Sequence, residues 1–177
     1  MNKPFYEKQT PVHDLKMTLY GWEGSITSPL SEFDIAVSAR DGSEDYVQKC
    51  AAAFLDMEDA LLEKLLSATA AFALDHAAEG GLYDEELDCE FTENSPLRDI
   101  LKFVCPVRLV IQPPKMYDEE EAPAAFVLEF NCDLDPDEPS EGLEWAVRDG
   151  EAVYVGEYFG CDPWEYYPDE DNYLNQP

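Results

Sequence analysis

From Val47 onward, apolar residues recur at spacings of three and four: Val47, Cys50, Phe54, Met57, Leu61, Leu65, Ala68 and Phe72. That spacing keeps one face of an α-helix apolar and leaves Asp56, Glu58, Asp59, Glu63 and Lys64 on the polar face. Ser43 supplies an N-cap, Glu44 and Asp45 suit the first turn, and Gly80-Gly81 ends the run. The pattern predicts one long amphipathic helix over about 43–78. Upstream the period drops to two. Leu15, Met17, Leu19 and Gly21 predict a strand over 15–24, and Phe33, Ile35 and Val37 predict a second, paired as a hairpin around Ser28-Pro29.

Downstream, residues 82–94 read as an acidic connection. Ser95-Pro96 then opens a short second helix, about 96–104, which Pro106 stops. The β-branched run 107–111 predicts a buried strand and 126–130 another. Residues 143–147 and 152–155 flank Asp149-Gly150, a hairpin signal. Beyond Gly156 the aromatic, acidic and proline-punctuated sequence predicts irregular structure. No internal repeat is visible. The expected fold is α+β: an antiparallel sheet with both helices packed on it. Residues 1–156 read as one domain and 157–177 as an acidic-aromatic C-terminal tail.

Composition sharpens this picture. With 177 residues, 45% of them hydrophobic and 12% aromatic, the chain has the apolar surface for a real core and is no disordered acidic tail. Its 40 acidic residues against 11 basic ones give a formal charge of −29. Phosphate backbones and anionic membrane surfaces would repel such a molecule, so neither nucleic acid nor membrane is an expected partner. A basic protein is, because complementary potentials speed encounter. The charge is concentrated late: residues 116–177 hold nineteen acids and one base, Arg148. The alternative is that the charge only confers solubility or salt tolerance. No run reaches the roughly 18 apolar residues of a membrane span. The first residues lack an apolar signal core, which predicts a cytoplasmic protein.

Candidate chemistry is sparse. Cysteines 50, 89, 105, 132 and 161 form no Cys-x-x-Cys pair and read as reduced thiols, mostly small core residues. Cys161 is the one expected at the surface, with neighbouring carboxylates disfavouring its thiolate. His76 falls near the end of the long helix, where capping is its expected role, and His13 has no nucleophile beside it in sequence. No Gly-x-Ser-x-Gly, His-Glu-x-x-His or phosphate-cradling glycine loop occurs, so no catalytic residues and no resident cofactor are assigned. Asp133, Asp135 and Asp137 alternate, and Glu141 and Glu144 follow at the ninth and twelfth positions, which echoes a calcium loop. Glu138 stands where such a loop needs glycine and the flanks read as strands, so the same residues read more readily as a solvated acidic loop. In the tail, Tyr158, Trp164, Glu165, Tyr166, Tyr167 and Asp169 combine aromatic anchors with carboxylates, the set that a basic partner would want. The alternative is that these aromatics fold back over the sheet.

The run Val127-Leu128-Glu129-Phe130-Asn131-Cys132-Asp133-Leu134-Asp135-Pro136-Asp137, then Glu141-Gly142-Leu143-Glu144-Trp145 and Asp149-Gly150-Glu151 through Val155-Gly156, resembles a family of uncharacterised bacterial domains. There a Cys-Asp-x-Asp-Pro segment ends one strand and a Gly-Leu opens the next. The Trp22, Phe33 and Val37 strands and the Ala53-Phe54-Leu55 helix are similar to that family's N-terminal half, so the resemblance runs from about Leu15 to Gly156. The family's usual His-Gly pair after Asp-Pro is replaced here by Asp137-Glu138-Pro139-Ser140. The resemblance implies a stand-alone accessory or immunity protein to a bacterial toxin. The sequence therefore points to a non-enzymatic, acidic protein-binding domain, such as an immunity-type inhibitor of a basic toxin or a DNA mimic; the alternative is a calcium- or other cation-binding module built on Asp133, Asp135 and Asp137.

Overall fold

The computed structural model describes residues 10–78, 81–85, 88–116, 118–132, 134, 142–168 and 171–175. The fold is α+β, as expected. Seven strands form one sheet: β1 His13–Thr18, β2 Gly21–Thr27, β3 Asp34–Ala39, β6 Val104–Ile111, β7 Ala125–Cys132, β8 Leu143–Arg148 and β9 Glu151–Glu157. They are ordered β1-β2-β3-β6-β7-β8-β9. Between β3 and β6 lie helices α1 Glu44–Leu55 and α2 Asp59–Asp75, a ribbon of β4 Leu82–Asp84 and β5 Cys89–Phe91, and a 3₁₀ helix, Leu97–Lys102. The sheet is not antiparallel throughout: β3 and β6 pair in parallel, which the helical crossover between them allows.

The expected single helix over 43–78 is two. Asp56 caps α1 and Glu58 is extended (φ −65°, ψ 146°), so the apolar stripe continues in step while the backbone breaks beneath it. Asp56, Glu58 and Asp59 cause the break. Acidic side chains favour a helix start over a helix interior, and Asp59 stands in the first turn of α2. Ser43 caps α1 by accepting the Tyr46 N–H at 3.2 Å. His76 caps α2, its N–H and Nδ1 both directed at the Phe72 carbonyl.

The strand read over 15–24 is a hairpin. Thr18 Oγ1 accepts the Tyr20 N–H and donates to the Gly21 carbonyl, which turns the chain and leaves Leu19 and Tyr20 exposed. Gly21 has φ +112° and lies so close to β3 that a Cβ would fall 2.1 Å from the Ala39 carbonyl oxygen. The second helix expected at 96–104 is the shorter 3₁₀ turn, and Pro106 does not stop an element but lies inside β6. Pro106 pairs with Phe130 of β7 beside a register shift, and β3 joins β6 only from Arg108 onward, so the proline sits on a stretch of the strand with one neighbour. Asp149 and Gly150, both at positive φ, close the β8–β9 hairpin as expected.

One sheet face carries the main core. Val37, Leu109, Leu128, Trp145 and Val155 form a row across five strands, each at most 2% exposed, beneath α1 and α2. The Trp145 indole donates to Thr69 Oγ1 at 2.7 Å, and Thr69 donates to the Leu65 carbonyl, so both the buried indole N–H and the hydroxyl are satisfied. The other face bears two rows: Val110–Val127–Ala146–Tyr154, and Arg108–Glu129–Glu144–Gly156. Residues 158–168 cover the β8–β9 end of this face, with Cys161 and Tyr167 packed on Val127, Ala146 and Tyr154. Among the described residues no helix is long and apolar enough to cross a membrane.

Candidate functional site

The tail is irregular, as its sequence predicts, yet it is fixed at many points and forms a strap around the β9 edge. Glu144, fully buried, accepts backbone N–H groups of Phe159 (3.2 Å) and Cys161 (2.9 Å) on one carboxylate oxygen. Arg148 donates to the Pro163 carbonyl, and Lys115 pairs with Asp162 at 3.3 Å. The Trp164 indole donates to the Gln112 carbonyl at 2.8 Å. At the far end Asn172 replaces a missing strand: its Oδ1 accepts the Val155 N–H and its Nδ2 donates to the Val153 and Tyr167 carbonyls. Tyr173 N–H donates to the Val155 carbonyl, and its hydroxyl donates to Asp75 on α2 at 2.6 Å. Gly156 permits the crossing, because a Cβ there would lie 2.6 Å from the Asp171 carbonyl oxygen.

Between β9 and the strap lies a cleft of ≈ 680 Å³, lined by Tyr154, Glu157, Tyr158, Phe159, Tyr167, Asp171 and Asn172. Three of its rings pack on one another, with Tyr154–Phe159, Tyr154–Tyr167 and Phe159–Tyr167 centroids 5.3, 5.2 and 5.6 Å apart. Their edge-to-face and tilted arrangement is favourable for aromatic pairs. The Tyr154 phenol is held well above its ordinary pKa, first by burial and then by Glu144, Cys161, Asp171 and Glu157. Burial likewise raises Tyr167. Both therefore stay neutral, and Tyr154 donates to the Glu157 carbonyl at 3.0 Å. The cleft thus combines apolar ring faces, neutral phenols and carboxylates at its rim.

The residues singled out in the sequence divide over two places. Tyr158 and Tyr167 line this cleft, while Trp164 and Glu165 line a second one, ≈ 670 Å³, with Met116 and Arg148. Tyr166 is 82% exposed. Asp169, Asp133, Asp135, Asp137 and Glu141 lie outside the described residues. Glu144, the twelfth position of the calcium-loop reading, is inside β8 and holds the strap. Among the described residues no three His, Cys, Asp or Glu side chains converge on a cation position. Cys161, expected at the surface, is fully buried, and burial and Glu144 push its thiol up. Cys105, expected in the core, is exposed because alternation in β6 turns it away from Val104. Glu144 stands out in the sequence only as a calcium-loop position, and Tyr154, Glu157 and Asn172 not at all: a buried acid in an apolar strand and a lone Asn give no local signal of a strap.

Residues 12–162 match the family described as a domain of unknown function, DUF6985. The chain belongs to that family. The match covers most of the chain and reaches into the strap, past the Gly156 limit of the sequence resemblance. No curated protein and no solved structure matches this DUF6985 domain. The β9–strap cleft therefore draws its assignment from its own chemistry.

Proposed function

We propose that this DUF6985 domain is a non-enzymatic protein-binding domain whose partner is a basic protein, and that it acts as an immunity-type inhibitor of a basic toxin. One observation carries the reading: a firmly held acidic strap presents an aromatic, carboxylate-rimmed cleft in a chain of net charge −29. Aromatic anchors supply contact area at low entropic cost, and the surrounding acids steer and pair with Lys and Arg. A carboxylate surface of this density can also occupy a site that receives DNA phosphates, which makes a nuclease a suitable target. His76 supports the non-enzymatic reading, since its ring is engaged in capping α2 and stacking on Phe72.

The sequence alone would choose Trp164 and Tyr166 as joint anchors. The Trp164 indole is bonded inside the protein, so the informative pair of substitutions is Tyr158→Ala and Tyr166→Ala, both in the strap and outside the core. Tagged protein is incubated with lysate of the source organism and washed across a salt series. A stoichiometric basic protein, retained in part at high salt and lost by the double variant, is the expected result. Release of everything at moderate salt, equally from both proteins, would mean that the charge is generic.

A further inference from the structure

We infer that the β9–strap cleft seats an arginine side chain of the partner protein, an inference that rests on the protein-binding reading and names the chemistry of its central contact. At ≈ 680 Å³ the cleft is within the range of sites that enclose a small group. Ring geometry decides which cation fits. A cage for a spherical ammonium needs rings standing apart around the ion, each centroid about 6 Å or less from it. Here Tyr154, Phe159 and Tyr167 touch one another at 5.2–5.6 Å, which leaves no ion-sized space between them. The available surface is the outward side of Phe159, 58% exposed, with Tyr158 also on the lining at 36%.

A flat cation laid on an exposed ring suits that geometry. Guanidinium is planar, weakly hydrated and stacks on aromatic faces, whereas the lysine ammonium is compact and holds its water. At the rim Glu157 and Asp171 are both exposed, and neither is in an ion pair among the described residues. Carboxylates so placed offer guanidinium its charge-assisted hydrogen bonds while its plane rests on Phe159. The walls are already in place. Asn172 and the Gly156–Asp171 crossing fix the strap against β9, so little ordering opposes binding. Charge complementarity selects the occupant: a protein of net charge −29 draws in a basic surface, and this cleft takes its arginine.

The test compares two capped octapeptides of equal charge, glycine alternating with arginine or with lysine, titrated into isotopically labelled full-length protein and followed by amide shifts. The arginine peptide should bind roughly tenfold more tightly, with shifts centred on Glu157, Tyr158, Phe159 and Asp171. Phe159→Leu should abolish that preference while leaving lysine-peptide binding unchanged, and Glu157→Gln with Asp171→Asn should weaken both. Equal affinities for the two peptides, or an arginine preference that survives Phe159→Leu, would overturn the assignment. If Phe159→Leu disturbs the fold, Glu157→Gln alone decides, because undiminished arginine affinity in that surface variant is equally fatal. Retention of a basic partner by Phe159→Leu at wild-type affinity would sink the arginine seat and leave the protein-binding reading standing. Loss of every lysate partner at moderate salt sinks that reading, while the peptide pair still tests the seat.

Discussion

Glu129 and Glu144 stand directly opposite each other on β7 and β8, a placement that costs stability unless each carboxylate has its own partner. Their partners differ, and only one Glu144 oxygen is hydrogen-bonded among the described residues. Glu144 takes the two strap N–H groups, whereas Glu129, half-buried, relies on Arg108 at 3.5 Å, whose side chain is 52% exposed. An ion pair that open contributes at most about 1 kcal/mol. Burial therefore wins: the Glu129 carboxyl is raised above its ordinary value, with Arg108 opposing and Glu144 adding to the rise. A raised acid binds its proton more tightly in the folded state than in the unfolded state. Between its ordinary value of 4.5 and the raised folded value the native protein holds more protons, so stability falls as pH climbs through that window. Glu129→Gln removes the titration. Urea unfolding at several pH values from about 4 to 7 should show wild type losing stability relative to Glu129→Gln as pH rises, then a constant gap. Parallel curves throughout would show that Glu129 titrates alike in both states.

At the level of elements the strap has the clearest consequence. An exposed strand edge is a template for unwanted pairing, and here Asn172 and Tyr173 occupy the outer edge of β9 in place of another strand. Asn172→Ala removes the acceptor for the Val155 N–H and two donated bonds from a residue only 2% exposed. At about 1 kcal/mol per net hydrogen bond, with more for the stranded donor, the loss should be about 2–4 kcal/mol. Gly156→Ala acts on the same contact from the opposite side by crowding the Asp171 carbonyl. Hydrogen exchange should show both variants losing protection at Val155 and along 158–168 and 171–175 while β6 and β7 stay protected; unchanged exchange at Val155 would refute the strap as an edge cover. Wherever periodicity and caps agree, these elements could be read in the sequence: Ser43 opening α1, His76 closing α2, Asp149-Gly150 turning β8 into β9. Elements escaped where a tertiary effect overrode a local signal. The helical stripe passes unbroken over Asp56–Glu58 because the second helix resumes the same face. The β1–β2 turn hides in an apolar alternation, and Pro106 sits where β6 has one neighbour. Tyr158 and Tyr167, which line the candidate cleft, stand out in the sequence by composition, but no local pattern says that Glu144 and Asn172 hold the strap that carries them.

For the molecule as a whole, the question is whether a net charge of −29 costs stability, as self-repulsion requires, or is offset by the ion pairs that fasten the surface. Magnitudes settle the expected sign. Two like charges about 10 Å apart in water repel by about 0.4 kcal/mol, and a small protein with this excess contains many such pairs. Against them stand Lys102–Asp99, Arg108–Glu129 and Lys115–Asp162 among the described residues, each exposed on at least one side and each contributing about 1 kcal/mol or less. Salt weakens both contributions, because the screening length contracts from about 30 Å at 0.01 M to about 3 Å at 1 M. The larger one is repulsion, so added salt should stabilise the fold. Thermal unfolding across that range of sodium chloride should give a Tm rising by several degrees, most of it below about 0.2 M, where screening already reaches between surface neighbours. Sodium sulfate at equal ionic strength should add a further rise through its exclusion from the protein surface, which separates screening from salting-out. A Tm that falls with sodium chloride would place the ion pairs above the repulsion, and the acidic surface would then be locally neutralised by contacts instead of standing open to a basic partner.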